Sequence, residues 1–293
     1  MAPRKKRKSA PPETVSTTVH DLPDSLLQYV LSFLPAQAAV RTCVLARRWR
    51  HLWRSTTGLR IVGLDDDEEN VPVQDLRKFV EHLLMLRERT DLESVEMKFY
   101  SCSEGEMPYV NLWIRFAVIC KVRVLTLHIL EDDYLPLDDL PLVSLHLKTL
   151  DLYGLILEKS FLDFASCPAL ENLKMNDCKI NGKFIFTRDL NCRPTFSKLK
   201  TLLLNEYWCE APDLGPLACI LQNSPVLEKL TLQLFSKGPD HKVEMKGRYS
   251  PMEGPSAISE HLNMVEVKCN VVDEKILKVL KLLSAFNIRF GFL

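Results

Sequence analysis

One spacing of apolar residues recurs through most of this chain and constrains its fold more than any other feature: apolar, two residues, apolar, one residue, apolar. The fullest copy is Leu170, Leu173 and Met175, continued by Cys178 and Ile180. Leu147, Leu150, Leu152, Leu155 and Leu157 make another, Leu199, Leu202 and Leu204 a third, and Leu227, Leu230 and Leu232 a fourth. Leu262, Val265, Val267, Asn270 and Val272 form a late copy; Leu92, Val95, Met97 and Val122, Leu125, Leu127 are shorter early ones. The first anchors are separated by 30, 25, 23, 29, 28 and 35 residues. Returns such as 161–165 and 217–221 lie between copies. Ser-Cys-Pro at 166–168 and Asn-Ser-Pro at 223–225 stand where a return would end, since the residue before proline avoids the helical region. A single copy is too small to bury its own apolar side, so neighbours must stack into a curved array. A series of ordinary βα units is the competing arrangement, and recurrence of the same anchors argues against it.

The copy at 170–180, with cysteine at its turn position, resembles a leucine-rich repeat. That resemblance implies an α/β fold: a short curved solenoid of about seven irregular repeats with a parallel sheet on its concave face. Residues between the leucines then point from the strands to that face. The candidate target contacts there are Lys98, His128, Asp151, Tyr153, Lys174, Asn176, Asn205, Gln233 and Lys268, a surface of mixed charge suited to a polar protein. Trp208, beside Tyr207, is a further candidate as an aromatic anchor; packing in the core is the other reading. Cys178 is expected to hydrogen bond inside the stack. So short an arc argues against a deep ligand pocket.

Ahead of the repeats, residues 20–56 hold more large apolar side chains than some forty residues can bury among themselves. Pro23 suits a first helical turn, with Asp21 and Asp24 at the positive end of the dipole. Leu26, Leu27, Val30, Leu31 and Leu34 follow at helical spacing, with Phe33 widening the stripe. Pro35 ends this helix and opens a second over about 36–46. Trp49, Leu52 and Trp53 lie among Arg47, Arg48, Arg50 and Arg54. Either this unit docks on the rest of the chain, or it offers a partner an apolar, tryptophan-rich surface.

The blocks Leu22-Pro23, Leu31-Ser32-Phe33-Leu34-Pro35, Val40-Arg41 with Val44-Leu45, Arg47-Arg48-Trp49 and Leu52-Trp53 resemble the plant form of the F-box. Residues 262–286 resemble the FBD-like C-terminal segment of many plant F-box repeat proteins. The resemblance implies that Leu22, Pro23, Leu26, Leu27, Leu31, Leu34, Val44, Leu45, Trp49 and Trp53 bind a Skp-type adaptor, and through it cullin and RING subunits. The chain is then the non-catalytic substrate-recognition subunit of a ubiquitin ligase, with an unidentified target protein. A scaffold or decoy that holds the adaptor without ubiquitination is the alternative.

Lysine plus arginine equals aspartate plus glutamate at 38 each, which gives no general argument for nucleic acid. No basic stripe continues into the folded part, so no specific nucleic acid is expected. No run approaches the eighteen or so apolar residues of a membrane span, and the N-terminus lacks a signal peptide's apolar core. Nine scattered cysteines suit a reducing compartment. The run Arg4, Lys5, Lys6, Arg7 and Lys8 resembles a nuclear-import signal, so the expected compartment is the nucleus, with the cytoplasm second. The acidic run at 65–69 lacks the ligand spacing and turn glycine of a calcium loop and reads as a solvated loop. Gly182-Lys183 lacks the rest of a phosphate loop, the histidines stand apart, and Cys167, Cys178 and Cys192 lack the paired spacing of a zinc site. No catalytic group, metal or cofactor is expected.

The expected organisation is a disordered basic tail at 1–19, a three-helix F-box at 20–57, a linker and helix at 58–91 with helical spacing over 73–86 through Leu76, Phe79, Val80, Leu83 and Leu84, and repeats at 92–293 with the last unit at 258–293. A long loop is expected over 237–256. Asp273 should cap a final helix that turns Ile276, Leu277, Leu280 and Leu283 inward.

Overall fold

The computed structural model describes residues 22–63, 71–100, 102–130, 134–138, 141–158, 164–180, 196–209, 214–235, 243–249 and 259–291. The expectations placed on the basic run 4–8, the acidic run 65–69, the return residues 161–163, Gly182-Lys183 and Cys192 lie outside the described residues.

The head of the molecule is helical. Helix α1 (Asp24–Leu31) starts after Pro23 and ends before the turn at residues 32–35. Helix α2 (Ala36–Arg41) is shorter than the spacing predicts, because the chain tightens into a 3₁₀ turn at Thr42–Val44. The third helix expected of the head is replaced by 3₁₀ turns at Arg47–Arg50 and Leu52–Ser55, separated from α2 by the extended Ala46, and these lead directly into the first strand.

Strands β1 (Gly58–Val62), β2 (Ser94–Phe99) and β3 (Val124–Ile129) then pair in parallel, in chain order. Helix α3 (Val73–Leu86) connects the first two, and α4 (Met107–Ile119) the second and third. β4 (Leu135–Pro136) belongs to a small second sheet, while β5 (Thr149–Tyr153) continues the large one. β6 (Leu155–Leu157) and β8 (Lys179–Ile180) complete the small sheet on either side of β7 (Asn172–Asn176) in sequence. β9 (Thr201–Asn205), helix α5 (Gly215–Gln222) and β10 (Lys229–Leu234) follow. The last elements are β11 (Val243–Tyr249), β12 (Met264–Cys269), helix α6 (Glu274–Ala285) and β13 (Ile288–Gly291).

The large sheet has ten strands in the order β1-β2-β3-β5-β7-β9-β10-β12-β11-β13. The first eight run parallel; β11 and β13 close the far end antiparallel. The result is a mixed α/β molecule built on a mostly parallel sheet.

The recurring apolar positions explain this order. Val95, Leu125, Leu150, Leu173, Leu202, Leu230 and Val265 are register partners from strand to strand, and so are Met97, Leu127, Leu152, Met175, Leu204, Leu232 and Val267. Two unbroken apolar ladders therefore cross the sheet, and every residue in them is buried. The first anchors at 92, 122, 147, 170, 199, 227 and 262 are buried behind them. Gly154 allows one tight connection. It adopts φ 73°, and a Cβ there would meet the Ile129 carbonyl oxygen at 2.0 Å. Both facts demand glycine.

Three expectations need correction. Residues 58–62 are the first strand rather than a linker, pairing Leu59 with Val95 and Ile61 with Met97. Residues 243–249, placed in a long loop, form β11; glycine and charge disguise its alternation, and Gly247 lies where a Cβ would strike the Phe290 ring at 2.7 Å. Helix α6 is capped by Asp273, whose carboxylate accepts from the Ile276 amide at 2.8 Å. It buries Ile276, Val279 and Leu283, with Leu280 packed partly against the core, and leaves Leu277 exposed.

Candidate functional site

Two surfaces carry the residues singled out in the sequence. The first is on the helical head. Helix α1 is apolar over more than half its circumference, with Asp24, Ser25 and Gln28 on the remainder, and the two sides of the apolar arc meet different surroundings. Leu27 and Leu31 point inward, each 2% exposed, and join Leu52, Trp53 and the sheet in one core. Leu26, Tyr29, Val30 and Phe33 point outward, with the Tyr29 and Phe33 rings edge to face at 4.9 Å. Beyond α2, Val44 and Leu45 are 83% and 68% exposed. Such a cluster of large apolar side chains in water is what a docking partner covers.

Of the candidate adaptor contacts, Leu26, Val44, Leu45 and Pro23 are therefore open to solvent. Leu22, Leu34 and Trp49 are partly buried against the core. Leu27, Leu31 and Trp53 must be corrected: they are interior, and the Trp53 indole N–H donates to the Arg50 carbonyl at 3.1 Å. They hold the face from beneath. Spacing alone did not separate the two apolar stripes of one helix, and it also passed over Tyr29, Val30 and Phe33 as contacts.

The head is joined to the sheet through polar groups as well as apolar ones. Arg87, just past α3, is 6% exposed. Its guanidinium donates to the Thr56 hydroxyl at 2.8 Å, to the Trp53 carbonyl at 3.4 Å and to the Thr56 carbonyl. Burial pushes the Arg87 pKa down to about 10, which leaves it charged at neutral pH. Arg60 on β1 donates to the Phe33 carbonyl, and Gly58 lies so near Ser32 that a Cβ would sit 2.9 Å from it. Since Gly58 is opposite Ser94, Thr56 falls opposite the buried anchor Leu92. A threonine thus stands where the other strands carry an anchor, its hydroxyl satisfied by Arg87.

The second surface is the open face of the sheet. Lys98, His128, Tyr153 and Asn176 form one row of register partners, and Gln233 and Lys268 are partners further along. The next row holds Asp151, which meets His128 Nε2 at 3.1 Å and Lys174 Nζ at 3.2 Å. Burial pushes the Asp151 carboxyl up, but the His128 hydrogen bond and the Lys174 charge outweigh it and hold the group below its ordinary value. Tyr153 lies 5.8 Å from the His128 ring. Lys229 and Thr231 converge on Glu266 at 3.1 and 3.4 Å, and Arg60 pairs with Glu96.

Two candidates on this face are overturned. Asn205 is 4% exposed and donates to the Cys178 carbonyl at 2.8 Å, inside the stack. Trp208 is 3% exposed, tucked inward by the 3₁₀ turn Glu206–Cys209 that follows β9 at once. Cys178 is buried, with its thiol donating to the Asn176 carbonyl at 3.2 Å and pushed up to about 12 by desolvation. The described residues contain no group of three or more His, Cys, Asp or Glu able to hold a metal ion. No helix among them is long and apolar enough to cross a membrane.

The F-box domain family matches residues 19–59, the segment that carries the exposed apolar face. An F-box/LRR-repeat protein of Arabidopsis thaliana is 29% identical over 74% of this chain and 38% of its own length. A putative FBD-associated F-box protein of the same plant is 28% identical over 78% of this chain and 41% of its own. F-box/LRR-repeat protein 13, also from Arabidopsis thaliana, is 29% identical over 73% and 40%. The chain thus spans about two fifths of the length of these relatives. The chain carries at its head a segment that matches the F-box domain family, and it is similar over most of its length to plant proteins of the F-box/LRR-repeat and FBD-associated F-box kinds.

Proposed function

We propose that this chain is the substrate-recognition subunit of an SCF-type (Skp–cullin–F-box) ubiquitin ligase. Its head docks on a Skp-type adaptor, and its parallel sheet is the concave face of a leucine-rich-repeat solenoid that presents a target protein. The observation that carries this reading is the folded F-box whose outer apolar residues, Leu26, Val30, Phe33, Val44 and Leu45, are exposed while its inner ones are locked to the sheet. The chain itself needs no catalytic group, because holding a target lysine near a charged carrier enzyme is catalysis by proximity. Lys98, His128, Asp151, Tyr153, Lys174, Asn176, Gln233 and Lys268 are the target contacts, and the run 4–8 directs the protein to the nucleus.

The test is copurification of the adaptor with Val30→Asp and Leu45→Asp. Both residues are exposed, so each variant is expected to lose the adaptor while its unfolding transition stays in place. Undiminished capture would refute the assignment of this face. Leu31→Ala is unsuitable as a docking test, since emptying a buried leucine site costs about 2–5 kcal/mol of stability by itself. A cullin should coprecipitate with the wild-type chain; adaptor without cullin is the result expected of a scaffold or decoy.

A further inference from the structure

The exposed patch on the head carries charge as well as apolar surface. Arg41 stands at the entry to the 3₁₀ turn Thr42–Val44, and Arg47 and Arg50 lie three apart, on one side, in the next turn, which follows the extended Ala46 and packs against the first. Arg41, Arg47 and Arg50 are exposed, and none is in an ion pair among the described residues. Their neighbours are used differently: Arg48 pairs with Asp24, and Arg54 lies over the Trp53 ring at 5.5 Å. Between residues 22 and 57, Asp24 is the single acid against five arginines, in a chain whose charges balance only when taken as a whole. The head is a concentrated positive region within a neutral molecule.

An apolar partner surface laid over Val44 and Leu45 would bring three unpaired guanidiniums to its border with nothing to answer them. A complementary partner must supply carboxylates there. A nucleic-acid backbone offers the anions without a surface for Leu26, Val30, Phe33, Val44 and Leu45. Bilayer insertion uses the continuous apolar side of one amphipathic helix, whereas these residues stand on separate short elements. We propose that the head binds a protein surface on which an apolar groove is bordered by acidic side chains. Arg41, Arg47 and Arg50 steer that encounter, and the apolar residues hold it. The inference rests on the adaptor-binding reading and adds the partner's chemistry to it.

The experiment measures association and dissociation of the full chain with a purified plant Skp-type adaptor between roughly 0.05 and 0.5 M salt, across which screening tightens severalfold. The wild-type association rate is expected to fall about tenfold over that range. Charge reversal at all three positions (Arg41→Glu, Arg47→Glu, Arg50→Glu) is expected to slow association about tenfold at low salt and flatten the salt dependence, with dissociation changed less than about twofold. Lysine at the same positions should preserve the wild-type rates. An unchanged rate in the glutamate variant, or a wild-type rate indifferent to salt, overturns the inference. Leu45→Asp separates it from the underlying reading. If Leu45→Asp abolishes binding while the glutamate variant matches wild type, the docking face stands and the acidic border falls; if wild type never binds the adaptor, both fall. Phosphatidylserine vesicles and duplex RNA serve as further probes. Loss of either by the glutamate variant, with adaptor association intact, would assign the arginines to phosphate and also overturn the inference.

Discussion

Asp151 shows how the open face of the sheet is held by charge. Its carboxylate lies between His128 and Lys174 and titrates below its ordinary value. A carboxyl with a depressed folded pKa contributes stability that is complete above the unfolded value near ~3.9 and is lost as pH falls from there through the folded value. Asp151→Asn is therefore expected to lower the urea midpoint at pH 6, with the gap to wild type narrowing towards pH 3. A constant gap would refute the pairing. Asn205 and Trp208 mark the limit of what residue patterns disclose. Strand alternation puts Asn205 on the open side, but the chain leaves the strand at that residue, so both Leu204 and Asn205 are buried. Trp208 follows inward for the same reason. Lys98, Lys174 and Lys268, which sit within regular strands, were legible from period two alone.

Among the elements, the helices were easier to locate than to orient. The helix at 73–86 and the cap of α6 follow from spacing and from Asp273. Helix α1 was equally visible, yet it carries two apolar stripes, and only contact with Leu52, Trp53 and the sheet decides which is interior. The strand at 58–62 escaped notice because its anchor is Thr56, a polar residue made acceptable there by Arg87 on a different element. Replacing that guanidinium strands the Thr56 and Trp53 carbonyls in a buried place. Arg87→Met is expected to cost about 2–3 kcal/mol, seen as a lower denaturant midpoint, and also to weaken adaptor capture although residue 87 lies outside the F-box match. Wild-type stability in that variant would show that the apolar contacts suffice.

For the molecule as a whole, order along the chain became order across the sheet because each copy repeats the same buried positions, and a parallel neighbour in register is the arrangement that stacks them. The head belongs to that order, since it packs around β1 and shares one core with it. A chain lacking residues 1–57 would leave Leu59, buried at one end of the stack, without its cover. It is expected to self-associate, as measured by light scattering, where the full chain stays dispersed; a monodisperse fragment would mean that the sheet closes its own end. The threonine anchor has a mechanical corollary. Because one residue finishes the head and begins the stack, the molecule has no elbow between them. Whatever is gripped at one end stands at a set distance and bearing from whatever is gripped at the other, and reach must come from the partners' own motion.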